Sequence, residues 1–153
     1  MKVAGSGNAG QLSELGRQDS LDLLRQSAFG RIILSIDALP AALPANLAVE
    51  PGSVVFATED EAVLRAGRSG AVVAVQSDGV DPFDLTGWSV LVTGETSEVV
   101  DPVELERYRR LPLHPWASGH AEHFIRVRAT LVAGRRTALG CAACDQVAGS
   151  AFG

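Results

Sequence analysis

Residues 29–58 read FGRIILSIDALPAALPANLAVEPGSVVFAT. This stretch holds three apolar runs, separated by turn-forming residues: Ile32–Ile36, Ala41–Val49 and Ser53–Thr58, with Asp37–Pro40 and Pro51-Gly52 between them. Runs of this length, bounded by proline, glycine and aspartate, predict three strands. Because the gaps are short, we expect these strands to be joined as hairpins and to lie antiparallel.

Three segments around this stretch carry helix signals. The first has Asp19-Ser20 as a predicted N-cap, followed by leucines at helical spacing. The second covers Glu59–Arg68, with acidic residues in its first turn, where they suit the helix dipole. The third begins at Asp101, with Pro102 at the first helical position and Glu104 placed to close a capping box.

Three further strands are predicted after residue 70, with a polar loop between the first two: Ala71–Gln76, the loop Ser77–Thr86, Gly87–Val100 and His123–Thr137. The resulting order is helix, three strands, helix, two strands, helix, strand. Most consecutive strands are linked by hairpin-like connections. The order therefore predicts a mainly β fold, a small antiparallel barrel with peripheral helices, and not a parallel α/β sheet.

The length and charge of the chain limit its organisation and its partners. With 153 residues it should form one domain, which we place at 13–137, between a disordered segment at 1–12 and a flexible tail at 138–153. The net charge of −5 argues against nucleic acid and anionic lipid as partners. The most apolar stretch, Ile32–Val49, is interrupted by an aspartate and two prolines, so we expect no membrane span and a cytoplasmic protein.

Two cysteines and two histidines satisfy the ligand count of a zinc site. Cys141 and Cys144 form a C-x-x-C near the C-terminus, and His120 and His123 form an H-x-x-H. The histidines open a predicted strand, where side chains three residues apart point to opposite faces. The cysteines lack the helix and strand context of a redox motif. We therefore assign no metal and interpret the cysteines as adventitious thiols.

Two pairs of side chains could serve either a ligand or the fold. Arg126 and Arg128 share one face of the last predicted strand, where they could bind an anion, cross a subunit boundary or lie in solvent. Trp88 and Trp116 are the only tryptophans, and they could stack on a planar ligand or pack in the core or an interface. The sequence leaves both pairs open.

Ordered segments between about Leu12 and Arg136 carry a resemblance to a known family: Phe29-Gly30-Arg31, Pro44-Ala45-Asn46-Leu47, Val54–Thr58, Gly87–Gly94, Leu113–Gly119, and His123–Arg126 with Gly134-Arg135-Arg136. Together they resemble the pyridoxamine 5′-phosphate oxidase-like family of flavin-binding proteins, in particular its small actinobacterial, nitroimidazole-resistance-like branch. The resemblance implies a split antiparallel β-barrel, which agrees with the element order read from the sequence.

The resemblance also implies a cofactor and a subunit arrangement. Members hold flavin mononucleotide (FMN), or alternatively deazaflavin F420, between the two barrels of a homodimer. The implied reaction is hydride transfer from the reduced flavin, for which the protein supplies position and electrostatics and no catalytic side chain. The implied cofactor-binding residues are Ala45, Asn46, Leu47, Ala57, Thr58, Val63, Leu64, Trp88, Ser89 and Trp116, of which the partner subunit could contribute the last.

One segment departs from the family pattern. After the third strand the family has Phe-Arg-Thr-x-x-Gly-Ser/Thr-Lys-Leu, whereas this chain has FATEDEAVL over residues 56–64. The basic residues that anchor the flavin phosphate are here Ala57 and Val63, and three carboxylates follow Thr58. Each charge-assisted hydrogen bond lost is worth about 1.5–3 kcal/mol. Two functions stay open: an FMN-dependent oxidoreductase with a changed anchor, and a dimeric barrel that has lost flavin and serves as a binding or structural protein.

Overall fold

The structure, a computed structural model, describes residues 11–83, 86–116, 119–120 and 122–138. Within these ranges the chain forms eight strands and three helices. In chain order they are β1 (Gln11–Leu15), α1 (Arg17–Ser27), β2 (Phe29–Ile36), β3 (Leu39–Glu50), β4 (Ser53–Ala57), α2 (Glu61–Ser69), β5 (Val72–Val80), β6 (Gly87–Glu98), α3 (Pro102–Arg109), β7 (Phe124–Arg128) and β8 (Leu131–Ala138). None of the helices in the described ranges is long and apolar enough to cross a membrane.

Six of these strands close an antiparallel barrel. β2 pairs with β3, β3 with β4, and β4 with β7. β7 pairs with the end of β6, β6 with β5, and β5 returns to β2. β8 pairs with the first part of β6, and β1 pairs with β8, so the sheet continues beyond the barrel. The architecture confirms the predicted fold class, a mainly β split barrel with peripheral helices.

The opening stretch of the sequence folds as three consecutive antiparallel strands, as predicted. β2 and β3 are joined at Asp37 and Ala38, whose φ angles are both positive, at 51° and 63°. Two positive φ angles give a two-residue turn whose twist matches that of the flanking strands. β3 and β4 are joined at Pro51-Gly52, where Gly52 has a φ of 77°. The turn residues therefore set the register of this part of the barrel.

β4 is buried on both faces and links two hydrophobic cores. Because strand side chains alternate, Val54 and Phe56 point into the barrel, whereas Val55 and Ala57 point outward. The inner side chains join the larger core, which includes Ile32, Val75, Val90, Val92 and Ile125. The outer side chains join a smaller core beneath α3, which includes Val99, Tyr108, Leu113 and Phe124. Residues adjacent in β4 thus connect the barrel interior with the α3 layer.

Several predicted boundaries differ from the observed ones, and two of them change the role of a residue or segment. α1 begins at Arg17 after Gly16, so Asp19-Ser20 is not its N-cap; Ser20 is buried inside the helix, where its hydroxyl donates to the Gly16 carbonyl at 2.7 Å. The predicted loop over Ser77–Thr86 starts too early. β5 continues to Val80 because its backbone stays paired with β6 despite the polar side chains.

The end of the chain also differs from the prediction. The predicted strand His123–Thr137 is two strands, β7 and β8, separated by Ala129-Thr130, where the Thr130 N–H donates to the Arg128 carbonyl at 2.9 Å. This turn lets β7 complete the barrel and β8 pair outside it. β1 is an additional strand that the polar composition of residues 11–15 does not predict. Residues 1–10 and 139–153 of the two expected terminal segments lie outside the described ranges. Gln11 and Leu12 belong to β1, and Ala138 belongs to β8.

Arg126 joins α3 to the barrel. Its Nη2 donates to Glu104 Oε1 at 2.7 Å and to the Tyr108 hydroxyl at 3.3 Å. Asp101 caps α3 as predicted, accepting from the Val103 N–H at 3.0 Å. The capping box is wrong in one respect, because the Glu104 carboxylate points to Arg126. Arg126 is therefore an internal pairing residue, whereas Arg128 is exposed.

Candidate functional site

A cleft of about 250 Å³ lies where β3 and β4 meet the start of α2 and the loop after α3. Most of its surface is apolar, and its polar groups are consecutive in the sequence. We call the apolar part the apolar wall: Ile32, Leu43, Pro44, Ala45, Phe56, Ala57, Val63, Pro115 and Trp116. We call the polar part the acidic rim: Thr58, Glu59 and Asp60. An apolar concave surface with few polar groups is typical of a site for a small organic ligand.

Asp60 organises the acidic rim by capping α2. Its Oδ1 accepts from the N–H groups of Ala62 at 2.9 Å and Val63 at 3.2 Å, and its own N–H donates to Thr58 Oγ1 at 3.1 Å. Aspartate is among the preferred N-cap residues because its carboxylate satisfies N–H groups that the first helical turn leaves unpaired. A carboxylate of the chain itself therefore takes two N–H groups that a helix start could otherwise offer to a bound anion.

Glu59 is fixed in the rim by the segment before β7. Its Oε1 accepts from the backbone N–H groups of Glu122 at 3.0 Å and His123 at 3.2 Å. Its Oε2 lies 4.0 Å from His123 Nε2. The sequence places Glu59 inside α2, but the helix starts two residues later, at Glu61. Glu59 therefore belongs to the connection between β4 and α2.

Trp116 gives the apolar wall an exposed aromatic surface. The side chain is 61% exposed, and its ring centroid lies 5.2 Å from that of Phe29. Asn46 ties the same loop to β3, because its Nδ2 donates to the His114 carbonyl at 3.1 Å. An indole held by a second aromatic ring and by a fixed loop can stack on a planar ligand at little further entropic cost.

The structure brings together half of the residues that the sequence assigns to the site. Five of the ten line the cleft: Ala45, Ala57, Thr58, Val63 and Trp116. Asn46 adjoins it but uses its side chain to hold the loop. Leu47 and Leu64 are buried in the larger core. Trp88 and Ser89 lie on β6, and Trp88 lines a different cavity together with Gly79, Val80 and Arg136. Trp116 reaches the cleft of its own chain, whereas the resemblance allowed a contribution across subunits.

Several cleft residues were not assigned from the sequence. They are Ile32, Leu43, Pro44, Phe56, Glu59, Asp60 and Pro115. Pro44, Phe56 and Pro115 lie inside the motifs that carried the resemblance, so the neighbours of the assigned residues were the available signal. For Asp60 the signal was its chemistry, since an aspartate ahead of a helical segment predicts an N-cap. Ile32 and Leu43 have the pattern of ordinary core residues, so nothing in the sequence separates them from the core.

The cleft fits the ring system of a flavin better than its phosphate. The apolar wall and the Trp116 indole suit a planar aromatic ring. Among the described residues that line the cleft, none is lysine, arginine or histidine. Ala57 and Val63, which stand at the family's cationic positions, are 7% and 3% exposed and pack into the two cores. The residues present therefore do not fit a dianionic phosphate.

A second cleft, of about 730 Å³, is lined by all three histidines of the chain, together with Glu122 and Tyr108. His123 Nδ1 lies 3.0 Å from Glu98 Oε1. Cys141 and Cys144 lie outside the described residues. Within the described ranges no group of three or more histidine, cysteine, aspartate or glutamate side chains is arranged to hold a metal ion. The described residues thus provide no metal centre at the histidines.

Glu98 makes the stability of this region depend on pH. The guanidinium of Arg68, 2.9 Å away, and the hydrogen bond with His123 hold the pKa of Glu98 below its ordinary value of 4.5, against the opposing effect of burial. A lowered folded-state pKa means that the unfolded state binds the proton more readily. The contribution of Glu98 to stability is therefore complete above about pH 4.5 and is lost as the pH falls through its lower, folded-state pKa.

We expect Glu98→Gln to be less stable than the wild type at neutral pH and to lose less stability on acidification. Chemical denaturation at a series of pH values on both sides of 4.5 measures this difference. Glu95→Gln, an exposed carboxylate on the same strand, is the matched control and should keep the wild-type profile. If the free energy of unfolding changed with pH in the same way in Glu98→Gln and in the wild type, the role given to Glu98 would be contradicted.

Comparison with known proteins agrees with the fold. The pyridoxamine 5′-phosphate oxidase family model matches residues 16–136, which include the described residues that line the cleft. The uncharacterized protein Rv0080 of Mycobacterium tuberculosis is 37% identical over 134 residues, which cover 84% of this chain and 88% of that protein.

Solved structures share the same fold. An FAD-binding protein from Mycobacterium smegmatis is 29% identical, with a TM-score of 0.67 over 82% of this chain and 98% of that one. An FAD-binding protein from Mesorhizobium loti is 18% identical, with a TM-score of 0.68 over 84% of this chain and 98% of that one, and shows the fold alone. With a family match over most of its length and a relative of this identity, the chain belongs to the pyridoxamine 5′-phosphate oxidase family.

Proposed function

We propose that this chain binds a flavin, with the isoalloxazine ring against the apolar wall of the cleft. The observation that carries the proposal is the exposed Trp116 indole, which flanks a cleft lined by Phe56, Ala45 and Val63. An uncharged planar ring would remove apolar surface from water on the wall and stack on the indole. Family membership supports the same ligand class, as does the similar FAD-binding protein from Mycobacterium smegmatis.

We further propose that the protein is an oxidoreductase. A bound flavin supplies hydride transfer, and the protein contributes position and electrostatics. The apolar wall would hold the ring in place and exclude water from one of its faces. The acidic rim provides the only ionisable side chains among the described cleft residues.

The proposed active form is a homodimer. A cleft of about 250 Å³ is smaller than most complete ligand sites, which measure about 300–1,000 Å³, and its Trp116 and Pro44 are exposed. A second copy placed over this side would supply the missing wall and bury the indole. Light scattering of the purified protein tests the arrangement: twice the chain mass of 16.0 kDa is expected, and a strict monomer would contradict it.

One observation favours a second candidate, a barrel that binds no flavin and serves as a binding or structural protein. Asp60 takes two N–H groups at the start of α2, and no described cleft residue is basic. The same feature disfavours deazaflavin F420, because its acidic tail requires a basic groove. Titration of the protein into riboflavin at micromolar concentration separates the candidates. Quenched flavin fluorescence is expected, and unchanged fluorescence together with a colourless protein would favour the barrel without flavin.

Replacing Trp116 with alanine is expected to weaken riboflavin binding about tenfold, or about 1.4 kcal/mol, because the stacking surface is lost. Fluorescence titration measures the dissociation constant. Phe83→Ala is the matched control, since Phe83 is 96% exposed and lies outside the cleft, and it should bind as the wild type does. Equal riboflavin affinities for Trp116→Ala and the wild type would contradict the proposal that the indole contacts the flavin.

A further inference from the structure

We infer that the cleft selects an uncharged flavin, riboflavin, over the phosphate-bearing forms FMN and FAD. The inference rests on the proposed function and adds the class of flavin that the site accepts. It follows from the polar atoms at the acidic rim, which are oriented to repel an anion at the place where a ligand's side chain would leave the apolar wall.

The N–H groups at the start of α2 are already occupied. The N–H groups of Ala62 and Val63 donate to Asp60 Oδ1, and the Leu64 N–H donates to the Asp60 carbonyl at 2.9 Å. A phosphate could gain the first two N–H groups only by displacing a carboxylate that is covalently part of the chain. The favourable end of the helix dipole is likewise neutralised by that carboxylate.

The charge of the side chains that form the rim is negative. Glu59 is held in place by the two backbone N–H groups of Glu122 and His123, so it cannot easily turn away. His123, whose Nε2 lies 4.0 Å from Glu59, also has its Nδ1 3.0 Å from Glu98, so two carboxylates share one imidazole. Among the described residues that line the cleft, no lysine, arginine or histidine offsets these carboxylates.

The rim suits the hydroxyl groups of an uncharged flavin better than it suits a phosphate. The ribityl hydroxyls of riboflavin can donate hydrogen bonds, and the rim offers acceptor oxygens at Thr58, Glu59 and Asp60. A hydroxyl chain therefore suits this rim, whereas a phosphate, which carries about −1.5 to −2 charges at neutral pH, does not. Repulsion between that phosphate and the two rim carboxylates is expected to lower its affinity by about tenfold or more.

The experiment compares riboflavin with FMN by fluorescence titration of the full-length protein at low and high salt. We expect riboflavin to bind about tenfold more tightly at low salt, and the ratio to shrink at high salt because the repulsion is screened. Asp60→Asn keeps a side chain that caps helices well and removes one negative charge. In this variant we expect the preference for riboflavin over FMN to shrink about threefold or more, because one negative charge facing the phosphate is removed.

Asp101→Asn is the matched control. Asp101 caps α3 in the same way, through the Val103 N–H, but lies outside the cleft, so both flavin affinities should stay as in the wild type. A cation introduced at Ala57 or Val63 would be a poorer test, because both positions are buried and the charge would perturb the cores. Thermal unfolding of each variant reports whether the cap is retained.

The outcomes separate the two levels of the proposal. FMN bound as tightly as riboflavin, or more tightly, would overturn the selectivity and leave flavin binding intact. Equal strengthening of FMN binding in Asp60→Asn and Asp101→Asn would also overturn it, because the effect would then follow net charge alone. Binding of neither flavin would overturn the proposed function and the selectivity together.

Discussion

Replacement of Gly94 by alanine is expected to lower the free energy of unfolding by about 3 kcal/mol or more. Gly94 is buried in β6 at the point where this strand stops pairing with β8, at Thr93, and begins to pair with β7, at Thr96. The turn between β7 and β8 passes close to the backbone of β6 at this residue. A Cβ on residue 94 would overlap the carbonyl oxygen of Arg128.

The overlap involves backbone atoms, so it cannot be relieved by a side-chain rotation. Arg128 is the last residue of β7 and is paired with Ser53 of β4, which holds its carbonyl against β6. Urea denaturation of Gly94→Ala and of the wild type measures the loss. Gly16→Ala is the control, since its added Cβ meets nothing within 4 Å and its φ of −65° suits alanine. Losing an N-cap glycine should cost under about 1 kcal/mol, so similar losses for the two variants would contradict the packing argument.

Replacement of Tyr108 by alanine is expected to destabilise the protein by about 3–5 kcal/mol. The side chain is fully buried in the smaller core, with its ring centroid 5.8 Å from that of Phe124. Its hydroxyl accepts from Arg107 at 3.0 Å and from Arg126 at 3.3 Å. Alanine would leave a cavity beneath α3 and would remove a hydrogen-bond acceptor from both guanidinium groups.

Tyr108→Phe separates the packing contribution from the polar one. Phenylalanine fills the same space and loses only the hydroxyl, so a loss of about 1 kcal/mol is expected. Because Leu113 packs in the same core and the loop then continues to Trp116, Tyr108→Ala should also weaken riboflavin binding, whereas Tyr108→Phe should leave it nearly unchanged. Denaturation and flavin titration of both variants provide the check, and an alanine variant no less stable than the phenylalanine variant would contradict this role.

The barrel could be predicted from the sequence because its signals are local. The turn-forming residues within 29–58 predict the turns of this segment, and Asp101-Pro102 predicts the start of α3. β1 could not be predicted, because it is a strand only through its pairing with β8, more than a hundred residues away. The break between β7 and β8 was also missed, since the apolar alternation continues through Ala129 while the backbone turns. Long-range strand pairing determines both β1 and the break between β7 and β8, and such pairing is hardly visible in the local composition.

The candidate site was predictable only where the motif and the geometry coincide. Ala45, Thr58 and Val63 lie in the cleft because neighbouring strands and α2 carry them there. Trp88 and Ser89 lie in an equally specific motif, but both are on β6 outside the cleft, and Trp88 lines another cavity. The role of Asp60 depends on where α2 starts, and a shift of two residues in that boundary changes a helix side chain into the cap beside the cleft. Such boundaries are the least certain part of a reading from sequence.

The extension of the sheet through β8 to β1 has a consequence for solubility. Among the described strands β1 lies at the end of the sheet, paired only with β8, so its outer side is an open ladder edge. An open strand edge can recruit a strand from another molecule and so start aggregation. Here that edge has only five residues and carries the exposed carboxylate of Glu14. A short, charged strand thus protects the eight-residue β8, which would otherwise present a longer template for intermolecular pairing.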